Sequence, residues 1–274
     1  MGRISSVKFK SPLAPVSMDG VTVLVLGDSI LPRDSATPSS SGGGILIQNL
    51  CNVKESNPES VGWDWQGAVD VDGATNTPNP SNAAKVTFAS GFGGGNAPGK
   101  IVTAAFTSQT NIYYGFWIKY DPNWTRHDIG EKQLYIWWGS AENLYFGPEG
   151  PSGFCGTDKM TASIQTTWQE GEHNICANVS NPSLLDNTWY WIEMHLVMNT
   201  VGQANGIMQL WVTPQGQSEI LVMDYSNKTY RNDSSHQFNR GEWIPIWGGS
   251  GGTKPAEEYL WYDKLTIATQ KQGS

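Results

Sequence analysis

The segment NTWYWIEMHLVMNTVGQANGIMQLWV, residues 187–212, decides the fold of this chain. From 189 to 199 its even positions are apolar, whereas most odd positions carry rings or hydrogen-bonding groups. Successive side chains of a β-strand point to opposite faces of the sheet. The even positions predict a buried face of Tyr190, Ile192, Met194, Leu196 and Met198. The odd positions predict a second face of Trp189, Trp191, Glu193, His195, Val197 and Asn199.

Two other segments, 112–120 and 133–138, alternate in the same way. Their even positions are apolar, and their odd positions carry rings, an amide and an amine. These odd positions include Trp117, Lys119, Gln133, Tyr135 and Trp137. Flat rings suit the apolar faces of sugars, and neighbouring polar groups can bond the hydroxyls. The alternative is that loops or another subunit cover these rings.

The rest of the chain predicts strands and no helices. Short β-favouring runs recur between turn residues, from GILIQNL at 44–50 to EYLWYDKLTIAT at 258–269. The 274 residues include 31 glycines and 15 prolines, which interrupt helices. Regularly spaced strands without intervening helices predict an all-β protein, an antiparallel two-sheet β-sandwich.

We predict that residues 1–44 form an N-terminal arm and linker and that residues 45–274 form the sandwich domain. The arm contains an apolar strand, VTVLVLG at 21–27, and then DSATPSSSGGG at 34–44, whose composition is typical of a flexible linker. An apolar strand on a flexible tether can pair with the sheet edge of a neighbouring subunit. We therefore expect self-assembly, or assembly with other structural subunits, through this arm.

Charge and hydropathy argue against two classes of partner. The chain has 17 Lys and Arg against 25 Asp and Glu, a formal charge of −8, which disfavours nucleic-acid binding through a basic face. No apolar run approaches the ~20 residues of a membrane helix, so membrane insertion is not expected. The first 15 residues lack the apolar stretch of a secretory signal, which indicates either use without secretion or earlier removal of a leader.

The cysteines leave one question open. Three cysteines are too few, and odd in number, for a disulfide scaffold. Cys155 and Cys176 can face each other across a loop, as a disulfide or as two thiols. No CxxC or HExxH motif is present, so a zinc site is not expected.

The segment 187–212 resembles two neighbouring strands of concanavalin-A-like jelly rolls. In that superfamily an alternating strand that begins with Trp is followed by a turn and a second strand with Trp-Val. Here Asn205-Gly206 supplies the turn and Trp211-Val212 the second strand. Residues 113–124 and 259–269 resemble two further strands, so the resemblance covers roughly residues 85–270. It implies a jelly roll, but the superfamily holds lectins, hydrolases, lyases and non-catalytic shells.

The resemblance also bears on cofactors. Many sandwiches of this fold hold one structural calcium ion, often through an Asp on the last strand. Asp263 occupies that position here. A structural calcium is therefore the one cofactor that the resemblance implies, and none is required.

The first functional hypothesis is a non-catalytic glycan-binding or structural protein. It would work outside cells or on a particle surface, for example as a virion shell or decoration protein, with carbohydrate as partner. The expected glycan-binding residues are Trp117, Lys119, Gln133, Trp137, Trp191, Glu193 and Trp211.

The alternative is a polysaccharide lyase that cleaves a uronate-containing chain by β-elimination. Such an enzyme needs a base near its working pH and a group that neutralises the carboxylate. His195 is the candidate base and Tyr135 the candidate acid, with Gln133 and Lys119 around the carboxylate. The alginate-lyase signatures of this fold and the Glu-x-Asp motif of its hydrolases are both absent. Convergence of these four side chains in one open groove would favour the lyase.

Overall fold

The computed structural model describes residues 16–18, 21–23, 44–55, 62–73, 78, 82–139 and 141–274. Across these residues the chain forms 17 β-strands and no helix. Within the same ranges no helix is long and apolar enough to cross a membrane. The first strands are β1 (Val16–Met18), β2 (Val21–Val23), β3 (Ile45–Asn49), β4 (Trp63–Gly67), β5 (Val69–Asp72), β6 (Ala83–Phe88), β7 (Gly99–Thr103) and β8 (Asn111–Tyr120). The others are β9 (Glu131–Trp138), β10 (Glu142–Pro148), β11 (Met160–Gln165), β12 (Glu172–Cys176), β13 (Tyr190–Val197), β14 (Gly206–Pro214), β15 (Ile220–Lys228), β16 (Phe238–Trp247) and β17 (Glu258–Ala268).

Two antiparallel sheets form the sandwich. The eight-stranded sheet has the order β15-β14-β13-β8-β17-β6-β5, and β3 also pairs with β17. The seven-stranded sheet has the order β12-β11-β10-β9-β16-β7-β4. This architecture confirms the all-β two-sheet prediction, and it leaves each sheet with one inner face and one outer face.

The core between the sheets includes the apolar positions that alternation predicted. The ring of Phe116 on the eight-stranded sheet lies 6.0 Å from that of Phe146 and 6.1 Å from that of Trp243, both on the other sheet. The predicted core side chains are exposed by 1% or less: Ile112, Phe116, Ile118, Leu134, Ile192, Met194, Leu196 and Leu210. The period of two therefore identified the inward face of β8 and β13 correctly.

The turn between β13 and β14 differs from the expected Asn205-Gly206 turn. The connection runs over residues 198–205, and Gly206 already pairs with Lys228 of β15. The Asn205 carboxamide closes this loop by accepting the backbone N–H of Thr200 at 2.8 Å. Gly206 is needed for close approach, because a Cβ there would lie 2.8 Å from the Tyr230 ring.

The structure describes only part of the predicted N-terminal arm and linker. Val21–Val23 forms a strand, which pairs with Val16–Met18 in a short hairpin. Residues 24–27 and 34–43 of the predicted arm and linker lie outside the described residues. Assembly through the arm stays a prediction.

Cys155 and Cys176 form a disulfide, which resolves the alternative that the sequence left open. The bond joins the loop between β10 and β11 to the end of β12. The third cysteine, Cys51, is a buried free thiol, and burial raises its pKa.

Candidate functional site

The predicted site residues separate onto opposite outer faces of the sandwich. Lys119 and His195 lie on β8 and β13 of the eight-stranded sheet, whereas Tyr135 lies on β9 of the seven-stranded sheet. The core lies between them, so these side chains do not converge with Gln133 in one groove, which was the arrangement that would have favoured the lyase built on His195 and Tyr135. Alternation shows which side of its own strand a residue faces, but not which sheet the strand joins.

Gln133 does not reach either outer face. It is 2% exposed, its Oε1 accepts a hydrogen bond from the Tyr262 hydroxyl at 2.8 Å, and its Nε2 donates to Glu131 at 3.2 Å. The register between β9 and β16 shifts between Trp243 and Ile246, so alternation breaks and both Gln133 and Leu134 are buried. Placing Gln133 among glycan-binding residues was therefore wrong.

Trp191 belongs to a closed cluster of rings on the outer face of the eight-stranded sheet. Its side chain is unexposed and packs edge-on against Trp117 with ring centres 5.8 Å apart. The ring lies on Gly115, where a Cβ would come within 2.4 Å of a ring carbon. Its Nε1 donates to the Glu193 carboxylate at 3.2 Å. Trp117 and Trp191 therefore pack as a second small core.

The C-terminal segment lies over the neighbouring part of this face. Glu193 is unexposed, and its two carboxylate oxygens accept the backbone N–H groups of Gln272 at 2.6 Å and Gly273 at 2.9 Å. The Lys271 amine lies 3.8 Å from the centre of the half-buried Trp211 ring. For Glu193 and Trp211 the structure therefore agrees with the alternative that the outer face is covered, here by the C-terminal segment.

Lys119 and Asp263 are also buried in this region. The Lys119 amine lies 4.6 Å from the Trp261 ring centre and 5.3 Å from that of Trp189, and burial lowers its pKa. Asp263 is unexposed and accepts the Lys264 backbone N–H at 2.6 Å. Within the described parts of the chain no group of three His, Cys, Asp or Glu side chains could hold a metal ion. A calcium ion at Asp263 stays a prediction.

His195 is engaged by its neighbours on the same face. Its ring stacks on Tyr113 with centres 4.2 Å apart. Its Nδ1 lies 2.9 Å from Gln209 Oε1, and its Nε2 lies 2.8 Å from Asn111 Oδ1. Burial lowers its pKa. Both ring nitrogens lie next to amide oxygens, so His195 is a hydrogen-bonded residue of this sheet face, and its role as a base stays a prediction.

A different set of side chains meets on the outer face of the seven-stranded sheet. Tyr135 pairs across the strands with Tyr145 on one side and Glu242 on the other, and Trp137 pairs with Asn143 and Arg240. We call the following residues the aromatic–cationic cluster: Lys132, Tyr135, Trp137, Asn143, Tyr145, Arg240 and Glu242.

Three rings form the apolar surface of the aromatic–cationic cluster. The Tyr135 ring centre lies 5.3 Å from that of Tyr145 and 5.9 Å from that of Trp137. All three side chains are half-buried. Burial raises the pKa of Tyr135, and Tyr145 and Glu242 add to that rise.

Two cations flank these rings. The Lys132 amine lies 4.3 Å from the Tyr145 ring centre and 5.8 Å from that of Tyr135, and burial lowers its pKa. The Arg240 guanidinium lies 4.7 Å from the Trp137 ring centre, and its Nε lies 3.6 Å from Glu242 Oε1. Arg240 is thus neutralised by Glu242, whereas Lys132 has no carboxylate partner among the residues that the structure describes.

Three buried polar atoms of the cluster lack a hydrogen bond. Trp137 Nε1, Asn143 Oδ1 and Arg240 Nε have no hydrogen-bond partner within the described ranges. Trp137 pairs with the other two residues across the strands, so the three atoms belong to one patch. Buried polar groups are nearly always hydrogen-bonded, so these three atoms are an unusual feature of the patch.

A cleft of about 240 Å³ continues the cluster beyond Lys132 and Tyr145. Its polar lining includes Glu149, Thr161, Ser163 and Asn174. Burial raises the pKa of the Glu149 carboxyl group. The face therefore offers hydroxyl, amide and carboxyl groups next to the rings.

Only Tyr135 and Trp137 of this cluster were predicted from the sequence. Lys132 was not predicted, because the break in alternation at Gln133 moves Lys132 onto the outer face. Asn143 and Tyr145 were not predicted, because ENLYFGP was not identified as a strand. The alternation of Asn143 and Tyr145 with buried Leu144 and Phe146 was the available signal.

Comparison with known proteins supports the fold assignment. No protein-family model and no curated protein matches this chain. Among solved structures, a PL-14 alginate lyase from Aplysia kurodai is 15% identical with a TM-score of 0.65, over 83% of this chain and 100% of that one. An endo-β-1,4-glucuronan lyase from Trichoderma reesei is 13% identical with a TM-score of 0.55, over 80% and 94%.

A third match is the carbohydrate recognition domain of Emp46p. It is 9% identical with a TM-score of 0.51, over 82% of this chain and 96% of that one. The fold is the concanavalin-A-like jelly roll. At these identities the likeness concerns the jelly roll alone, so function has to be argued from the site.

Proposed function

We propose that this jelly-roll protein binds a carbohydrate chain on the outer face of the seven-stranded sheet. The observation that carries the proposal is the aromatic–cationic cluster, where three neighbouring half-buried rings lie beside two cations and next to a cleft with a polar lining. Rings cover the apolar faces of sugars, and the polar side chains of the adjoining cleft, such as Thr161, Ser163 and Asn174, can bond the hydroxyl groups.

The fold comparisons support a carbohydrate ligand. Two of the matched structures are lyases of alginate and glucuronan, and the third is a carbohydrate recognition domain. They do not single out a sugar or a reaction for this chain. The Cys155–Cys176 disulfide supports use outside the reducing cytosol. A role on a particle surface rests on the N-terminal arm and stays a prediction.

Trp137→Ala is expected to weaken carbohydrate binding about two- to tenfold. An aromatic contact is worth ~0.5–1.5 kcal/mol, and ~1.4 kcal/mol corresponds to tenfold in affinity. The measurement is affinity electrophoresis and calorimetry with alginate, glucuronan and a neutral β-glucan.

Trp211→Ala is the matched control for Trp137→Ala. Trp211 is also half-buried beneath a cation, Lys271, but it lies on the other sheet. We expect the Trp211→Ala variant to bind carbohydrate with unchanged affinity. Equal weakening by both variants, or binding unaffected by Trp137→Ala, would contradict the assignment of the site to the seven-stranded sheet.

A second candidate function, a polysaccharide lyase, is favoured by one feature of the cluster. Two tyrosines with ring centres 5.3 Å apart lie beside Lys132, which has no carboxylate partner in the described part of the chain. In β-elimination Lys132 would neutralise the uronate carboxylate. Tyr145, as the tyrosinate, would take the C5 proton, and the C4–O bond would break as the C4–C5 double bond forms. The raised pKa of Tyr135 keeps its hydroxyl protonated, which suits donation of its proton to the leaving oxygen.

The lyase candidate is tested by ultraviolet absorbance of the unsaturated product from alginate and glucuronan. If the chain is a lyase, Tyr145→Phe should lower turnover by ~10²–10⁴-fold, and His195→Ala should leave it unchanged. Binding without any unsaturated product would leave carbohydrate binding as the function. Activity lost in His195→Ala but retained in Tyr145→Phe would contradict the site described here.

A further inference from the structure

The ring of Phe154 is exposed to an unusual degree. It exposes 78% of its surface, in the loop between β10 and β11. Burial of a Phe side chain normally stabilises a fold. The exposed Phe154 side chain does not make this contribution to the stability of the fold.

The loop that carries Phe154 is held in place at several points. Cys155 is bonded to Cys176, and the Ser152 backbone N–H donates to the Asp128 carbonyl at 2.6 Å. Gly153 packs so closely on Glu149 that a Cβ would lie 1.8 Å from Glu149 Oε2. Exposure of the ring therefore follows from the way the loop is anchored.

The same loop borders the cleft at the end of the aromatic–cationic cluster. The Glu149 carboxylate, which lines the cleft, accepts the backbone N–H of Phe154. Cys155 Sγ lies 3.5 Å from Thr161 Oγ1, which lines the cleft as well. Phe154 is thus a solvent-exposed ring next to the polar wall of the proposed site.

The order of the strands gives the direction of this site. Residues of β16, β9, β10, β11 and β12 follow one another across the outer face, from Arg240 through Tyr135 and Tyr145 to Ser163 and Asn174. Neighbouring strands are ~4.8 Å apart, so the five strands span about 19 Å. Trp137 is level with Asn143 and Gln165, whereas Cys176 at the end of β12 is level with Thr161. A chain that crosses the strands diagonally, from Trp137 past Tyr145 to Thr161, would therefore meet the Phe154 loop at the β12 side.

We propose that Phe154 is a stacking platform for a sugar ring at the far end of the bound chain, and that the Cys155–Cys176 disulfide holds it there. This inference rests on the proposed carbohydrate-binding function. With this platform the affinity depends on the length of the bound carbohydrate chain, because only a carbohydrate that reaches past the cleft contacts Phe154. Short oligosaccharides bind the aromatic–cationic cluster without it.

The test measures affinity against chain length for Phe154→Ala. The probes are oligomannuronates, oligoglucuronates and cello-oligosaccharides of two to eight sugar units. We expect about a two- to tenfold loss for the longest bound oligosaccharides and no change for the shortest. Leu185→Ala is the control, since Leu185 is also exposed, by 62%, and should bind every length like the unmodified protein.

A second arm uses the disulfide. The double variant Cys155→Ser/Cys176→Ser should show the same length-dependent loss, because the platform is released while the cluster is kept. Unchanged affinity in Phe154→Ala, or equal weakening at all lengths, would overturn the platform and leave the proposed function standing. No binding of any oligosaccharide or polysaccharide by the unmodified protein would overturn both.

Discussion

Trp191→Ala should lower the free energy of unfolding by about 3–5 kcal/mol, as for other buried Trp truncations, and leave carbohydrate binding intact. The ring is unexposed, packs on Trp117 and Gly115, and donates to Glu193. Its removal opens a cavity and leaves the Glu193 carboxylate with one donor fewer. Urea unfolding measures the stability, and calorimetry with the bound polysaccharide measures the affinity.

Leu196→Ala is the matched comparison for Trp191→Ala. Leu196 lies in the main core on the other side of the same strand and is equally unexposed. Leu196→Ala should therefore lower the free energy of unfolding by ~2–5 kcal/mol. Similar losses in both variants would establish that the outer face of β13 is packed like a core. A Trp191→Ala variant that keeps its stability but loses carbohydrate binding would instead return the glycan site to that face.

Lys254→Met should destabilise the protein by about 3–5 kcal/mol, the usual effect of removing one partner of a buried ion pair. The Lys254 side chain is unexposed, and its amine lies 2.6 Å from Glu258 Oε2. The amine also donates to the Thr125 carbonyl at 2.8 Å and lies 3.3 Å from the Trp124 ring centre. Methionine keeps the stem volume but leaves the Glu258 charge buried without its cation.

The double variant Lys254→Met/Glu258→Gln separates charge from packing. Removing both charges should restore a large part of the lost stability, because no uncompensated carboxylate remains. A double-mutant cycle by urea unfolding measures the coupling. Additive losses from the two single changes would show that packing around Trp124, and not the ion pair, is the source of the effect.

Local patterns in the sequence were sufficient for the class of fold and for the inner faces of β8 and β13. The composition predicted strands without helices. The alternation of side chains separated buried from outer positions in β8 and β13, as at Ile112 and Leu196. These properties depend on residues close together in the chain, because alternation is a feature of a single strand. The resemblance of segment 187–212 to jelly-roll strands added the topology class.

The candidate site depended on contacts between distant parts of the chain. Tyr135 and His195 have similar local patterns, yet strand pairing places one beside Tyr145 and Glu242 and the other beneath Tyr113 and Asn111. Strand order and register are set by pairing between segments, and no local period reports them.

Coverage and local breaks in the pattern were likewise decided only by the tertiary structure. Gln133 turned inward because the register shifts in the partner strand β16, and Glu193 was covered because the chain end returns over β13. The Cys155–Cys176 bond required the loop after β10 to meet β12. A sequence shows which groups a strand presents on each side, whereas packing decides which of those groups remain open to a ligand.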